Sequence, residues 1–296
     1  MNQLINKILK KIKRSSYIFY IRHFRKYLRF SSLPYVSGDS FRNISNHVLD
    51  EISKINLSKV KHKDIIFVKT DYLDYFFDVI FPKLPDEIKL ITHNSDYEIS
   101  KKYIKLIENR RVSWFAQNLT IDSNEFSMFK PIPIGLENRS YLKNGKLSHF
   151  KESNLYSGEK DTKIYCSFNF NTNKKRIYIY NLIKDHEEVV FSRFKDHKKF
   201  VNDLSKYQFN LCPEGNGIDT HRFWESLMIG VVPIVEKNNL IKNFYNHNIP
   251  MLVLDKWEDL LKLTKKELNE IYLSNKNKLK NNDYIYLDYW EKYIKN

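Results

Sequence analysis

The chain has 296 residues, 42% of them hydrophobic and 15% aromatic, enough for one large domain or two ordinary ones with substantial cores. Its formal net charge of +15 asks for an anionic partner: nucleic acid, an anionic membrane or a phosphorylated ligand. Two cysteines, no Cys/His spacing suited to zinc and no apolar run of about 18 residues exclude a disulfide framework, a zinc module and a transmembrane helix.

The charge is unevenly placed. Residues 1–38 hold no Asp or Glu, and Lys7, Lys10, Lys11, Lys13, Arg14, Arg22, Arg25, Lys26 and Arg29 fall within the first thirty. Leu4, Ile5, Ile8, Leu9 and Ile12 share one helical face among those cations. The segment therefore reads either as a basic amphipathic helix lying on an anionic membrane or as a helix packed on its own domain. It lacks the apolar run and cleavage site of a signal peptide, so a cytoplasmic setting is expected, with peripheral attachment to the inner membrane face as an option. Nucleic acid is not the expected partner, because no zinc-finger, helix-turn-helix or RNA-binding signature accompanies the charge.

From residue 60 onward strands and helices alternate. Strands are expected at 64–69, 88–92 and 112–116, helices at 72–80 and 96–107, and a rigid extended segment at 131–135, where Pro131 and Pro133 disfavour helix. A polar stretch at 143–162 reads as a linker. Beyond it, strands are expected at 163–168, 188–192, 207–212, 231–235 and 251–254, with helices at 174–183, 198–204 and 219–229. Residues 274–282 form a Lys/Asn-rich tract, and 284–293 an aromatic helix. The alternation predicts an α/β protein with two Rossmann-like domains, their parallel sheets facing a cleft. The expected division is a basic N-terminal segment (1–38), a first domain (39–155), a second domain (160–280) and a C-terminal helix (281–296) packing back on the first.

One strand–loop–helix unit carries the chemistry. The strand ending at Cys212 runs into Pro213-Glu214-Gly215-Asn216-Gly217, and a helix follows from about Asp219. In open parallel sheets ligands bind beyond the carboxyl ends of strands. A helix N-terminus offers free N–H groups and a positive dipole end to a diphosphate. Gly215 and Gly217 let the backbone approach a ligand, and Asp219 or Thr220 is the expected N-cap. Arg222 is placed for phosphate oxygens, and Glu225 and Glu214 for ribose or sugar hydroxyls, with Asn216, Thr220 and His221 in the same turn. Arg176, or Lys175, is expected to bring charge from the turn after residue 168. The plain alternative is a capped helix with an Arg222–Glu225 ion pair.

Phe209-Asn210-Leu211-Cys212-Pro213-Glu214-Gly215, His221-Arg222-Phe223-Trp224-Glu225-Ser226-Leu227 and Gly230-Val231-Val232-Pro233-Ile234-Val235 resemble the donor-site motif of exostosin-like glycosyltransferases. The likeness covers about 30 residues, and Glu214 stands where a basic residue is common. The same segment is similar to the α1,3-fucosyltransferase motif through Glu214, Asn216, Asp219 and Glu225, which makes a fucosyltransferase using GDP-fucose the second reading. Either resemblance implies a GT-B fold and an inverting enzyme. The expected substrates are a nucleotide sugar, a UDP-sugar ahead of a GDP-sugar, and a glycan or lipid-linked glycan acceptor. The Lys-, Asn- and Ile-rich usage points to bacterial surface polysaccharide synthesis.

An inverting transfer needs a base beside the acceptor hydroxyl. Asp96 is the first candidate and His93 the second, both just beyond a first-half strand; Glu137 and Asp71 follow. No Asp-x-Asp triplet occurs, so neither a metal nor a cofactor is expected. Arg222, helix N–H groups and Lys side chains would hold the leaving diphosphate instead.

Overall fold

The structure is a computed structural model that describes residues 2–153, 159–193 and 196–296. The first half carries strands β1 (His47–Leu49), β2 (Ile65–Lys69), β3 (Glu87–His93), β4 (Arg111–Ala116) and β5 (Phe129–Pro131) in one parallel sheet ordered β1-β2-β3-β4-β5. The second carries β6 (Asp161–Cys166), β7 (Val189–Phe191), β8 (Tyr207–Leu211), β9 (Val232–Glu236) and β10 (Leu252–Leu254), again all parallel, ordered β10-β9-β8-β6-β7. The expected α/β class, two Rossmann-like parallel sheets with a cleft between them, is the one observed. The central strands are continuous apolar runs because both faces are covered: Ile66, Phe67 and Val68, like Phe209 and Leu211, have no exposed surface.

The helices are α1 (Asn2–His23), α2 (Gly38–Asn43), α3 (Leu73–Tyr75), α4 (Ile104–Ile107), α5 (Leu147–Ser153), α6 (Lys175–Ile183), α7 (His197–Leu204), α8 (His221–Met228), α9 (Asn239–Phe244), α10 (Lys265–Lys280) and α11 (Leu287–Lys295). α11 returns to the first half. Its Leu287 N–H meets the Pro34 carbonyl at 2.9 Å, and the Lys89 ammonium at the foot of β3 caps its last turn through the carbonyls of Ile294 and Lys295.

Several expectations are corrected. The helix expected at 96–107 begins only at residue 101, as a 3₁₀ turn leading into α4. Ile99 is instead extended, exchanging backbone hydrogen bonds with Asn118 and Thr120, so Asp96 caps no helix. The helix expected at 72–80 is a hybrid in which α3 passes into a π-helical turn, Phe76–Ile80. The Lys/Asn-rich tract belongs to α10, which a Thr264–Glu267 capping box starts and which buries only Leu268 and Leu279. The polar stretch at 143–162 holds α5, while its residues 154–158 lie outside the described residues. The strand β1 was not anticipated; it is a three-residue edge with one fully buried position.

Candidate functional site

The order of the second sheet locates a site. Written by sequence, its strands run 2-1-3-4-5, so the connections leave in opposite directions from β6 and β8. A crevice forms beyond the carboxyl ends of two such strands. The segments that emerge there are 167–174 and 212–220, which hold the turn and loop singled out from sequence.

Arg176 ties these segments together. It is 3% exposed. Its guanidinium donates to the carbonyls of Glu214 (2.8 Å), Pro213 (2.9 Å) and Asn169 (3.1 Å) and to the Thr172 hydroxyl (2.6 Å). Burial, with the neighbouring Arg222 charge second, lowers its pKa to about 10. Arg176 therefore shapes the loop from behind. Asn173 adds a bond to the Gly215 carbonyl at 3.1 Å. Glu214 points toward Asn238 (3.2 Å) and Lys175 (3.7 Å), in a small recess also lined by Cys212, Glu236 and Trp257.

The first turn of α8 follows. Thr220 is its N-cap by backbone geometry, and its side chain caps nothing. Asp219 does not cap the helix: its carboxylate takes the Trp224 indole N–H at 2.9 Å and the Ile134 N–H, from the first half, at 2.7 Å. Burial raises the Asp219 pKa to about 6. Glu225 was expected to meet ribose. In the structure it is 4% exposed, and its Oε1 accepts from His197 Nε2 at 2.8 Å. Burial pushes the Glu225 carboxyl up, and the His197 contact more than offsets it, leaving the group below its ordinary value. His197 in turn meets His149 on α5, Nδ1 to Nδ1, at 2.8 Å. The α8 turn, Arg222 included, also lies close to Cys166 and Cys212, both buried thiols raised by burial, Cys212 to about 12, and so chemically inert.

The loop is docked on the opposite half. The Gly217 backbone passes so near Asn118 that a Cβ would stand 2.7 Å from Nδ2. Asn118 Oδ1 also accepts from the Asp219 N–H at 2.9 Å. Thus Gly217 is required by a protein contact in this structure, where sequence reasoning assigned it to ligand approach. His221 donates from Nδ1 to the Gly135 carbonyl at 2.7 Å.

Between the halves lies a cavity of about 460 Å³. His221 enters it from α8. The carboxyl ends of β2, β3 and β4 supply Asp71, His93, Asn94, Ser95, Asp96 and Gln117, and Glu137 closes it from the segment after β5. All four proposed bases therefore meet in one place. They are not equivalent. His93 donates from Nε2 to the Pro133 carbonyl (2.9 Å) and accepts the Asn94 N–H at Nδ1 (2.7 Å), and burial holds its pKa at about 4. Glu137 accepts from the Asn144 backbone and side chain, both at 3.0 Å. Asp71 has Lys69 at 3.8 Å. Asp96 is exposed and has no side-chain partner among the described residues.

The N-terminal segment supplies a wall that sequence reasoning did not assign. Arg25 and Arg29, counted above with the membrane-facing cations, line the cavity and turn inward to acids. Arg29 meets Asp39 at 2.8 Å and Glu51 at 3.3 Å, and Arg25 lies 4.4 Å from the Tyr141 ring centre. Asn138 links this wall to the base cluster, accepting from the Asp39 N–H and donating to Asn94 Oδ1, both at 2.8 Å. Gly38 is needed here, since a Cβ would stand 1.7 Å from Asn94 Oδ1. The available signal for Gln117 and Asn118 was their place just beyond a strand end. Arg25 and Arg29 gave none, because Asp39, Asp50 and Glu51 share no helical or strand spacing with them and meet them only in the fold.

No family model and no curated protein matches the chain. Among solved structures it is similar to one titled "Trehalose-6-phosphate from E. coli bound with UDP-2-fluoro glucose", at 10% identity over 81% of this chain and 74% of that one, with a TM-score of 0.47. It is also similar to an alpha,alpha-trehalose-phosphate synthase (UDP-forming) from Burkholderia vietnamiensis, at 9% identity over 80% of this chain and 75% of that one, with a TM-score of 0.47. Among the described residues no group of His, Cys, Asp and Glu is arranged to hold a metal ion, and no helix is long and apolar enough to cross a membrane.

Proposed function

We propose that the chain is a GT-B type glycosyltransferase that moves a sugar from a nucleotide diphosphate sugar to a hydroxyl of a glycan or lipid-linked glycan. The observation that carries this reading is the cavity itself. It lies at the carboxyl ends of the first sheet, faces the first turn of α8 at the switch point of the second, and is lined by carboxylates, amides and tyrosines. Carboxylates and amides in a polar cleft suit a polyhydroxylated substrate.

In this reading the diphosphate sits at the N-terminus of α8, against the Arg222 side chain and the first-turn N–H groups of His221 and Arg222, with Arg176 holding the preceding loop in shape. Glu214 and the recess beside it take the ribose side, and His221 faces the transferred sugar. Asp96 is the base, because it alone of the four candidates keeps both oxygens free of protein partners among the described residues. The acceptor hydroxyl loses its proton to Asp96 as its oxygen attacks the anomeric carbon, and the nucleoside diphosphate leaves toward Arg222 with the bonding pair. One displacement inverts the anomeric centre. No metal is called on, because the guanidinium and the helix terminus supply the positive charge. The exostosin-like motif supports a UDP-sugar donor ahead of a GDP-sugar, and the Lys-, Asn- and Ile-rich usage supports bacterial surface polysaccharide assembly as the setting.

A nucleotide and nucleotide-sugar thermal-shift panel tests the reading. A rise in melting temperature with one nucleoside diphosphate and its sugar, lost in Arg222→Ala, is expected. No response to any member would end it.

A further inference from the structure

We infer that the outward face of α1 and of the turn that follows it docks on an anionic lipid bilayer, lying in the interface. This docking does not depend on the glycosyltransferase reading. The two faces of the segment differ. The inner one is anchored: the Tyr17 hydroxyl donates to the Tyr141 carbonyl at 2.9 Å, the Tyr20 hydroxyl to the Ser140 carbonyl at 2.7 Å, and Arg25 and Arg29 turn to the cavity wall. The outer one is bare. Ile12, Ile18, Phe19, Phe24, Tyr27 and Leu28 are exposed, Phe19 to 58% and Tyr27 to 62%. The Phe19 ring lies against His23 and Phe24, at 4.7 and 5.7 Å between centroids. The side chains of residues 1–10, which continue the apolar and basic pattern in sequence, lie outside the described residues.

Charge selects the occupant. Lys11, Arg14 and Arg22 are exposed beside those apolar side chains, and no acid occurs before Asp39. A second copy docking on this face by two-fold symmetry would set cations against cations. An anionic bilayer satisfies both features at once: the rings and aliphatic chains enter the headgroup boundary while the cations meet lipid phosphates. No described helix is apolar enough to span, so the segment lies on the surface. One consequence does rest on the glycosyltransferase reading. Phe24 and Tyr27 flank Arg25, so docking brings the acceptor cavity to the bilayer and selects acceptors carried on lipid.

The test is co-sedimentation of the full chain with vesicles of phosphatidylcholine alone or with about one third phosphatidylglycerol, at low and high salt. Binding to the phosphatidylglycerol vesicles should be at least about tenfold stronger than to phosphatidylcholine and should fall with salt. The pair Phe19→Ser and Phe24→Ser should weaken it about tenfold, and Lys11→Glu with Arg14→Glu and Arg22→Glu should abolish it. All five side chains are exposed, so the melting temperature should hold and a folding defect would be visible there. The proposal is overturned if the wild type does not sediment with anionic vesicles or if the Phe variants bind unchanged. It is equally overturned if light scattering shows a dimer that the Phe variants dissolve, since the face would then belong to a second copy.

Discussion

Asn118 and Gly217 meet so closely across the cleft that a Cβ added to Gly217, in the loop beside α8, would stand 2.7 Å from Asn118 Nδ2, and one of the two must shift to admit it. With Asp219 N–H to Asn118 Oδ1 and Ile134 N–H to Asp219 Oδ2, this contact sets the loop's position relative to the cavity. Gly217→Ala must displace the amide or the loop, at a cost of about 1–3 kcal/mol. Unfolding in urea should show that loss, and nucleotide affinity should fall with it. Pairing Gly217→Ala with Asn118→Ala, which removes the obstructing amide, should recover part of the affinity.

Arg176 and Arg222 should separate as shaping and binding residues. Arg176→Ala strips hydrogen bonds from three loop carbonyls and should cost stability, about 1.5–3 kcal/mol for each charged bond left unmade and not replaced by water. Arg222→Ala should leave the loop in place and weaken diphosphate binding at least about tenfold, a difference isothermal titration with UDP and GDP would resolve.

The four base candidates make different predictions. Asp96→Asn should lower kcat about 10²–10⁴-fold with little change in donor affinity, the range expected for loss of a general base. Glu137→Gln keeps one of the two oxygens that accept from Asn144, so it should cost turnover much less, with a loss of stability from the other Asn144 N–H. Asp71→Asn should also cost turnover less. His93→Gln should act mainly on stability, because both ring nitrogens are bonded inside the protein. An Asp96→Asn enzyme with full turnover would move the base elsewhere in the cavity.

Acid should destabilise the protein well before its carboxylates of ordinary pKa titrate. Burial holds His93 and His247 at about 4 in the folded chain, below the ordinary 6.5 of an unfolded histidine. The unfolded state thus binds two more protons in that window, and stability falls as pH drops through it. Asp219 opposes this: its folded pKa of about 6 lies above the ordinary 3.8, so the folded state binds one more proton there, and that contribution is lost as pH rises. The net is one proton, at most about 1.4 kcal/mol lost per pH unit between 6 and 4.5. Asp219→Asn should steepen the slope to about 2.7 kcal/mol per unit. Urea midpoints across that range measure both.

The second half was legible because its strands are unbroken apolar runs between turns rich in Gly, Pro and Asn, and β6 to β10 fall within two residues of their expected ends. The loop at 213–217 was legible for its glycines and its place after β8. Less could be read where tertiary contact decides. Ile99 pairs with the Asn118 segment instead of joining a helix, and α10 starts at its Thr264–Glu267 cap and packs a narrow stripe of Leu268, Ile271, Tyr272 and Leu279 within a Lys- and Asn-rich surface. Glu225 reads as a ligand group by spacing alone; only the fold brings His197 to it. Arg25 and Arg29 read as surface charge because Asp39, Asp50 and Glu51 oppose them only once the segment is docked.

Titration calorimetry with UDP-sugars and GDP-sugars on the full chain, wild type beside Arg222→Ala, measures the central claim most directly. One donor should bind at a single site, without metal, and be lost in Arg222→Ala, while Asp96→Asn binds as the wild type does. Binding that survives Arg222→Ala, or no binding of any nucleotide sugar by the wild type, would contradict it.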